Sequence, residues 1–130
     1  MFTINQIRDT HSKVKSGADF PKYIQDMKKL GVIAYEHFVS DGHTLYYGSN
    51  GFTIQAAAKY ETLHVEGEIN YDQFKKDLQA HQQGKTTYPN FCSDCAKSGI
   101  EKWVIDIPAM TCTYYGKAGT EIVVETIPTI

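Results

Sequence analysis

The 130-residue sequence lacks a long apolar segment and an excess of charge of either sign. No apolar run approaches the ~20 residues that a membrane-spanning helix needs. The 13 Lys and Arg residues nearly balance the 15 Asp and Glu residues. We therefore expect no membrane span, and neither nucleic acid nor an anionic membrane surface as a partner.

Cysteine is also scarce, and the N-terminal segment does not resemble a secretory signal. Residues 1–9 contain no basic region followed by an apolar run. Three cysteines, an odd number, fit free thiols in a reducing compartment, so we expect a cytoplasmic protein. A chain of this length can bury one core without disulfides or metals.

The motifs of common catalytic and cofactor sites are missing as well. The sequence has no P-loop, no Rossmann glycine signature and no G-x-S-x-G nucleophile motif. No cofactor is therefore predicted.

The sequence does show a clear change in the spacing of its apolar residues. Apolar residues at helical spacing predict one helix from a cap at Thr3 to Gly17 and a second from about Asp19 to Gly31. The period then becomes two, which predicts strands over residues 32–39, 43–48 and 52–55. The last two strands are joined by a turn that ends at Gly51, after an asparagine that adopts positive φ at low cost.

The same pattern of helices and strands occurs a second time in the sequence. An offset of 67 places the cap and stop of the first helix on Asn70 and Gly84, and after one inserted residue the offset becomes 68. Nine of the 36 ungapped pairs that begin at residues 20 to 55 are then identical. Gly31 falls on Gly99, Gly51 on Gly119 and Tyr35 on Trp103, so we interpret these six residues as structural. Preservation of helix stops and of the turn indicates an internal duplication.

The predicted fold class is α+β, an α-α-β-β-β unit used twice, with four helices packed on antiparallel sheet around a shared core. The repeats span about residues 3–55 and 70–123, and residues 56–69 connect them. Each repeat is too small to bury its own apolar surface, so we expect a single domain over residues 1–130. Alternation at Leu63 and Val65 predicts a short extra strand in the connector.

Several long motifs also carry a family resemblance. They include "HSKVKSGADFP", "VSDGHTLYYG", "QFKKDLQAHQQGKTTYPNFC", "GIEKWVID" and "MTCTYYGKAG". With these motifs the chain resembles the YbcV-like family of bacterial proteins of unknown function, which are often labelled phage envelope proteins. The resemblance covers nearly the whole chain and implies a small α+β fold. It implies no activity, cofactor or catalytic residue.

Cys92 and Cys95 have the C-x-x-C spacing of redox and metal sites. Their counterparts in the first repeat are Ile24 and Met27, which belong to the apolar face of a helix. We therefore favour packing over redox or metal chemistry, because free cysteine packs well in a core and no second ligand pair completes a zinc site. Thiol or metal chemistry at these residues, with Cys112 nearby, is the alternative.

Two histidines interrupt the apolar stripes of the first helix in each repeat. His11 and His81 are more often satisfied core residues than ligands when supporting ligands are scarce. If the two stripes face each other across the axis that relates the repeats, the pair would be a pH-sensitive element.

A polar cluster occurs in one repeat only. His37, Asp41 and His43 correspond to Ile105, Ala109 and Thr111 in the second repeat. Asp41 and His43 could orient each other, and Tyr46 or its neighbour could donate a proton, which would suit acid–base catalysis in a cleft between the repeats. The alternative is a solvated turn at residues 40–42, which we favour because Asp and Gly suit turns for backbone reasons.

Each repeat also carries a Tyr-Tyr-Gly motif, beginning at Tyr46 and at Tyr114. Adjacent strand residues point to opposite faces, so one tyrosine of each pair should pack inward and the other outward. Outward aromatics can anchor a partner. We therefore expect a small binding or interaction module without catalytic activity, for a protein or small-molecule ligand, and a homodimer is one form it could take.

Overall fold

A computed structural model describes residues 2–14 and 17–127 of the chain. Four α-helices and six β-strands follow in the order α1-α2-β1-β2-β3-α3-α4-β4-β5-β6. The helices are α1 (Ile4–His11), α2 (Phe20–Leu30), α3 (Tyr71–Gln82) and α4 (Tyr88–Lys97). The strands are β1 (Ala34–Phe38), β2 (Thr44–Tyr47), β3 (Thr53–Ala56), β4 (Ile100–Asp106), β5 (Thr111–Gly116) and β6 (Glu121–Thr126). The α+β prediction is confirmed.

Side-chain caps begin three of the four helices. Thr3 forms a capping box with Gln6, while Asn70 and Thr87 each accept a backbone N–H from the first turn of α3 and α4. The predicted end of α2 is also confirmed, because Gly31 adopts φ 100° there. The other three glycines interpreted as structural also have positive φ: Gly51, Gly99 and Gly119.

The predicted end of the first helix was wrong. α1 ends at His11, not at Gly17, which instead begins a short 3-10 helix, Gly17–Asp19. The hydroxyl of Ser12 donates to the carbonyl of Asp9, and the backbone N–H groups of Lys13 and Val14 donate to carbonyls three residues back. These contacts tighten the last turn and replace the α-helical bonds. Residues 15 and 16 of the predicted helix lie outside the described residues.

The six strands form one antiparallel sheet in the order β3-β2-β1-β4-β5-β6. The two three-stranded units meet at the centre, where β1 pairs with β4. In that pair Glu36 lies opposite Val104, and His37 lies opposite Trp103.

The two faces of the sheet differ in burial. Tyr46 and Tyr114 are buried in the core, while Tyr47 and Tyr115 are half-buried on the other face. The in-and-out arrangement predicted for the two Tyr-Tyr-Gly motifs is thus confirmed. The core face also carries Tyr35, His37 and Trp103, whereas the opposite face carries polar side chains such as Glu36 and Lys102.

The extra strand predicted around Leu63 and Val65 was wrong, because residues 57–69 are irregular. This segment forms isolated hydrogen bonds instead of the regular series that pairs two strands. The N–H of Leu63 donates to the carbonyl of Ser40, and that of Glu66 donates to the carbonyl of Ala96. Val65 is buried all the same, which explains its apolar character. Within the described residues, no helix has the length and apolar character to cross a membrane.

Candidate functional site

A cavity of about 480 Å³ lies between the four helices and the core face of the sheet. Every helix contributes to its wall: His11 from α1, Tyr23 from α2, His81 from α3 and Tyr88 from α4. The sheet contributes residues from five of its strands, including Trp103 at the centre. The cavity is therefore built from both halves of the chain.

His37 lies in the sheet wall of this cavity and is 2% exposed. Its ring stacks on Trp103, with centroids 4.1 Å apart. The hydroxyl oxygen of Tyr88 lies 3.1 Å from Nδ1 and 3.2 Å from Nε2. Thr44 Oγ1 lies 3.3 Å from Nδ1, and Cys92 Sγ lies 3.8 Å from Nε2. Both ring nitrogens thus have polar neighbours inside the protein.

Burial sets the charge of His37. Loss of water, reinforced by the positive charge of Lys59, lowers the pKa of His37 from 6.5 to about 3. The imidazole is therefore neutral near pH 7. The same loss of water raises the pKa of the Tyr88 hydroxyl well above its usual value of 10.0, so this group is also neutral. This part of the cavity offers neutral hydrogen-bonding groups.

His11 and His81, the two histidines of the helix stripes, both line the cavity. The ring of His11 meets the edges of Tyr23 and Tyr88, at centroid distances of 5.4 and 5.2 Å. His81 stacks on Phe91 at 4.2 Å. Burial lowers the pKa of both histidines. They share one cavity, although the structure records no hydrogen bond or ring contact between these two described residues.

Glu125 supplies a carboxylate to the second half of the cavity. The Tyr114 hydroxyl donates a hydrogen bond of 2.9 Å to its Oε1, and the Gln82 amide donates to its Oε2. Burial raises the pKa of Glu125. Glu125 was not predicted as a site residue. The offset of 68 pairs it with Ala57, and both positions lie beyond the predicted ends of the repeats, so the comparison that singled out His37 did not reach it.

Lys59, from the connector, also lines the cavity, and its charge acts on His11 and His37. Its backbone N–H donates to the carbonyl of Asp41 at 2.8 Å, which ties the connector to the β1–β2 turn. The next residue, Tyr60, donates its hydroxyl to the carbonyl of Val39 at 2.7 Å. These bonds hold an irregular segment against the sheet and bring a lysine to the cavity. Sequence pattern gave no signal for this residue.

A known protein family matches most of this chain. A family model described as a protein of unknown function, DUF1398, matches residues 8–126. The chain belongs to this family. No curated protein matches it significantly. The matched residues of the DUF1398 domain include the whole lining of the cavity except Ile127.

In this DUF1398 chain, the residues of the predicted polar cluster are divided between two locations. His37 and Tyr46 line the cavity, whereas Asp41 and His43 do not. His43 stacks on Phe38 at 4.2 Å, and Phe38 points to the face opposite that of its neighbour His37. Asp41 Oδ1 lies 2.6 Å from His43 Nδ1, as predicted for a mutually oriented pair. The backbone N–H of His43 also donates to Asp41 and lowers its pKa.

The three cysteines of the DUF1398 chain are buried free thiols. Cys92 and Cys95 are 1% and 0% exposed, as the packing interpretation expects for residues on the core face of α4. Burial raises the pKa of Cys92, Cys95 and Cys112, which disfavours the reactive thiolate. Within the described part of the chain, no group of three or more His, Cys, Asp or Glu residues is arranged to hold a metal.

Proposed function

We propose that the protein is a binding module whose small-molecule ligand occupies the cavity between the four helices and the sheet. The observation that carries this proposal is the cavity itself, because all four helices and both halves of the sheet line one space. Its volume of about 480 Å³ lies in the roughly 300–1,000 Å³ range of small-molecule sites.

The lining supports an apolar ligand with a small number of polar contacts. Aromatic rings dominate the wall, and Tyr23, Tyr88 and Trp103 present flat apolar surface. The side chains that carry a formal charge are two, Lys59 and Glu125. The hydrogen bonds of such groups fix the orientation of an apolar ligand in small-molecule sites.

The protonation state of His37 favours a binding function over acid–base catalysis. A general base works best when its pKa lies near the operating pH, whereas the pKa of His37 is about 3. Asp41 and His43 do not line the cavity. The enzyme alternative, which used these three residues, stays a prediction without a supporting contact between His37 and the other two.

Titration with phenylnaphthylamine, a neutral dye that fluoresces in apolar sites, tests the proposal. We expect saturable binding of one dye per chain. Ala18 is an exposed residue that lines the cavity, and a ring there should narrow the space, so we expect Ala18→Phe to weaken binding at least about tenfold, a loss of ~1.4 kcal/mol. Ala57 is exposed and does not line the cavity, so Ala57→Phe is the matched control and should bind like the wild type.

Two results would overturn the proposal. One is the absence of saturable dye binding to folded wild-type protein. The other is equal weakening by Ala18→Phe and Ala57→Phe, which would place the dye elsewhere. Circular dichroism of each variant establishes that the comparison is between folded proteins.

We also infer that the chain is a single domain built by internal duplication. Glu36 and Val104 are related by the offset of 68, and they are also direct partners across the β1–β4 pair. Such pairing is what a two-fold relation between repeats requires, and the sheet order supports it. The narrower YbcV-like resemblance, a cytoplasmic location and a homodimer stay predictions.

A further inference from the structure

We propose that the ligand of this cavity carries an acidic group that pairs with Lys59, and that its apolar body lies along the aromatic wall. This inference rests on the proposed binding function and specifies the class of ligand: a small aromatic or other apolar acid.

Hydrogen bonds of the connector hold the backbone of Lys59 at the cavity. Its backbone N–H donates to the carbonyl of Asp41, and the Tyr60 hydroxyl donates to the carbonyl of Val39, so residues on both sides of the peptide bond are anchored to the β1–β2 turn. Gly42 packs directly on this segment, because a Cβ at that position would lie 3.2 Å from Lys59 Cβ. Lys59 is thus a positioned residue and not part of a free loop.

No carboxylate among the described residues neutralises the charge of Lys59. The residue as a whole is exposed, yet burial of its ammonium group lowers its pKa, and so does the like charge of Arg8. Its positive charge reaches the cavity, because it lowers the pKa of both His11 and His37. A partly desolvated cation favours an anionic partner.

Glu125, the other charged group of the lining, determines the orientation expected for the ligand. Glu125 already accepts hydrogen bonds from Tyr114 and Gln82, and it is a carboxylate that repels a second anion. The acidic group should therefore lie on the Lys59 side. Trp103 and Tyr88 then provide flat surface for the apolar body, with His37 between them in contact with both.

Two matched dyes test this inference. Anilinonaphthalene sulfonate has the apolar body of phenylnaphthylamine and adds one sulfonate, so the ratio of the two affinities isolates the acidic group. The variants are Lys59→Met, which keeps length and removes the charge, and Lys59→Arg, which restores a cation. Lys28→Met removes an exposed lysine of α2 that does not line the cavity and serves as the control.

We expect the sulfonated dye to bind the wild type about tenfold more tightly than the neutral dye, as a charge-assisted contact provides. Lys59→Met should abolish this preference, so that the ratio of sulfonated-dye to neutral-dye affinity falls to about one, while Lys59→Arg and Lys28→Met retain it. Equal affinities for the two dyes in the wild type, or an undiminished preference in Lys59→Met, would overturn the inference.

These failures differ from failure of the proposed function. If the neutral dye binds and Ala18→Phe weakens it, the cavity is a binding site even when the sulfonate adds nothing. If neither dye binds folded protein, the proposed function itself fails, and the inference fails with it.

Discussion

The imidazole of His37 stacks on the indole of Trp103 at the centre of the sheet, with ring centroids 4.1 Å apart and planes at 17°. The two residues are also register partners across the β1–β4 pair, which joins the two halves of the chain. One contact therefore connects the halves and forms part of the wall of the cavity. The properties of the cavity consequently depend on a histidine that the fold keeps neutral.

The neutral state of His37 predicts loss of stability in acid. Its pKa is about 3 in the folded protein and 6.5 without burial, so below pH 6.5 the unfolded chain binds a proton that the folded chain does not. The contribution of the neutral His37 to the free energy of unfolding is fully present above pH 6.5, and it is lost progressively as the pH falls toward 3. At pH 5 the loss is about 2 kcal/mol, because each pH unit between the two pKa values costs ~1.36 kcal/mol.

Urea unfolding at pH 7.5, 6 and 5 measures this loss. His37→Gln should be less stable than wild type at pH 7.5, because the stacking contact is gone, but its free energy of unfolding should fall less between pH 7.5 and 5. His64 is exposed and does not line the cavity, so His64→Gln is the control variant for the loss of an imidazole. An equally steep fall in His37→Gln and wild type would contradict the assignment.

Patterns among residues that are close in sequence predicted much of the fold but few of the contacts that form the cavity. The ends of α2 and the placement of one inward and one outward tyrosine in each Tyr-Tyr-Gly motif were predicted, because caps and strand alternation depend on adjacent residues. Tyr88 and His37 are 51 positions apart, and no local pattern indicates that they touch. The position of Lys59 depends in the same way on single hydrogen bonds between an irregular connector and a turn.

Replacement of Gly42 by alanine should destabilise the protein more than replacement of Gly51. Both glycines have a similar positive φ, 77° and 75°, so both variants incur about 1–2 kcal/mol of backbone strain. At Gly42 the new Cβ would also lie 2.7 Å from a ring carbon of Tyr60, which adds about 1–3 kcal/mol. At Gly51 nothing lies within 4 Å.

Thermal and urea unfolding of the two glycine variants measure this difference directly. The difference between the free energies of unfolding of the two variants measures the effect of the contact with the connector that carries Lys59. Equal destabilisation would show that the connector does not pack on the β1–β2 turn as described.

The three cysteines should be protected from thiol reagents in the folded protein. Cys92, Cys95 and Cys112 are buried and have raised pKa values, so neither access nor thiolate formation favours reaction. We expect slow reaction with a disulfide reagent in buffer and prompt reaction of all three thiols in denaturant. A thiol that reacts in buffer as fast as in denaturant would revive the alternative of thiol chemistry.

Removal of the Tyr88 hydroxyl should lower stability by about 1–2 kcal/mol, because Tyr88→Phe takes a polar neighbour from the buried ring of His37. Tyr71 is 45% exposed, and Tyr71→Phe is the matched control, with an expected change within about 0.5 kcal/mol. Urea unfolding at pH 7.5 provides the comparison. Equal stabilities of the two variants would mean that the Tyr88–His37 contact contributes little.

The most direct test of the central claim is the position of a bound ligand, measured by intermolecular nuclear Overhauser effects between phenylnaphthylamine and the protein. Trp103 is the only tryptophan, so its indole signals are identified without ambiguity. The account predicts contacts from the dye to Trp103 and Tyr88 inside the cavity. Contacts confined to Phe38 and Tyr115, on the opposite face of the sheet, would contradict it.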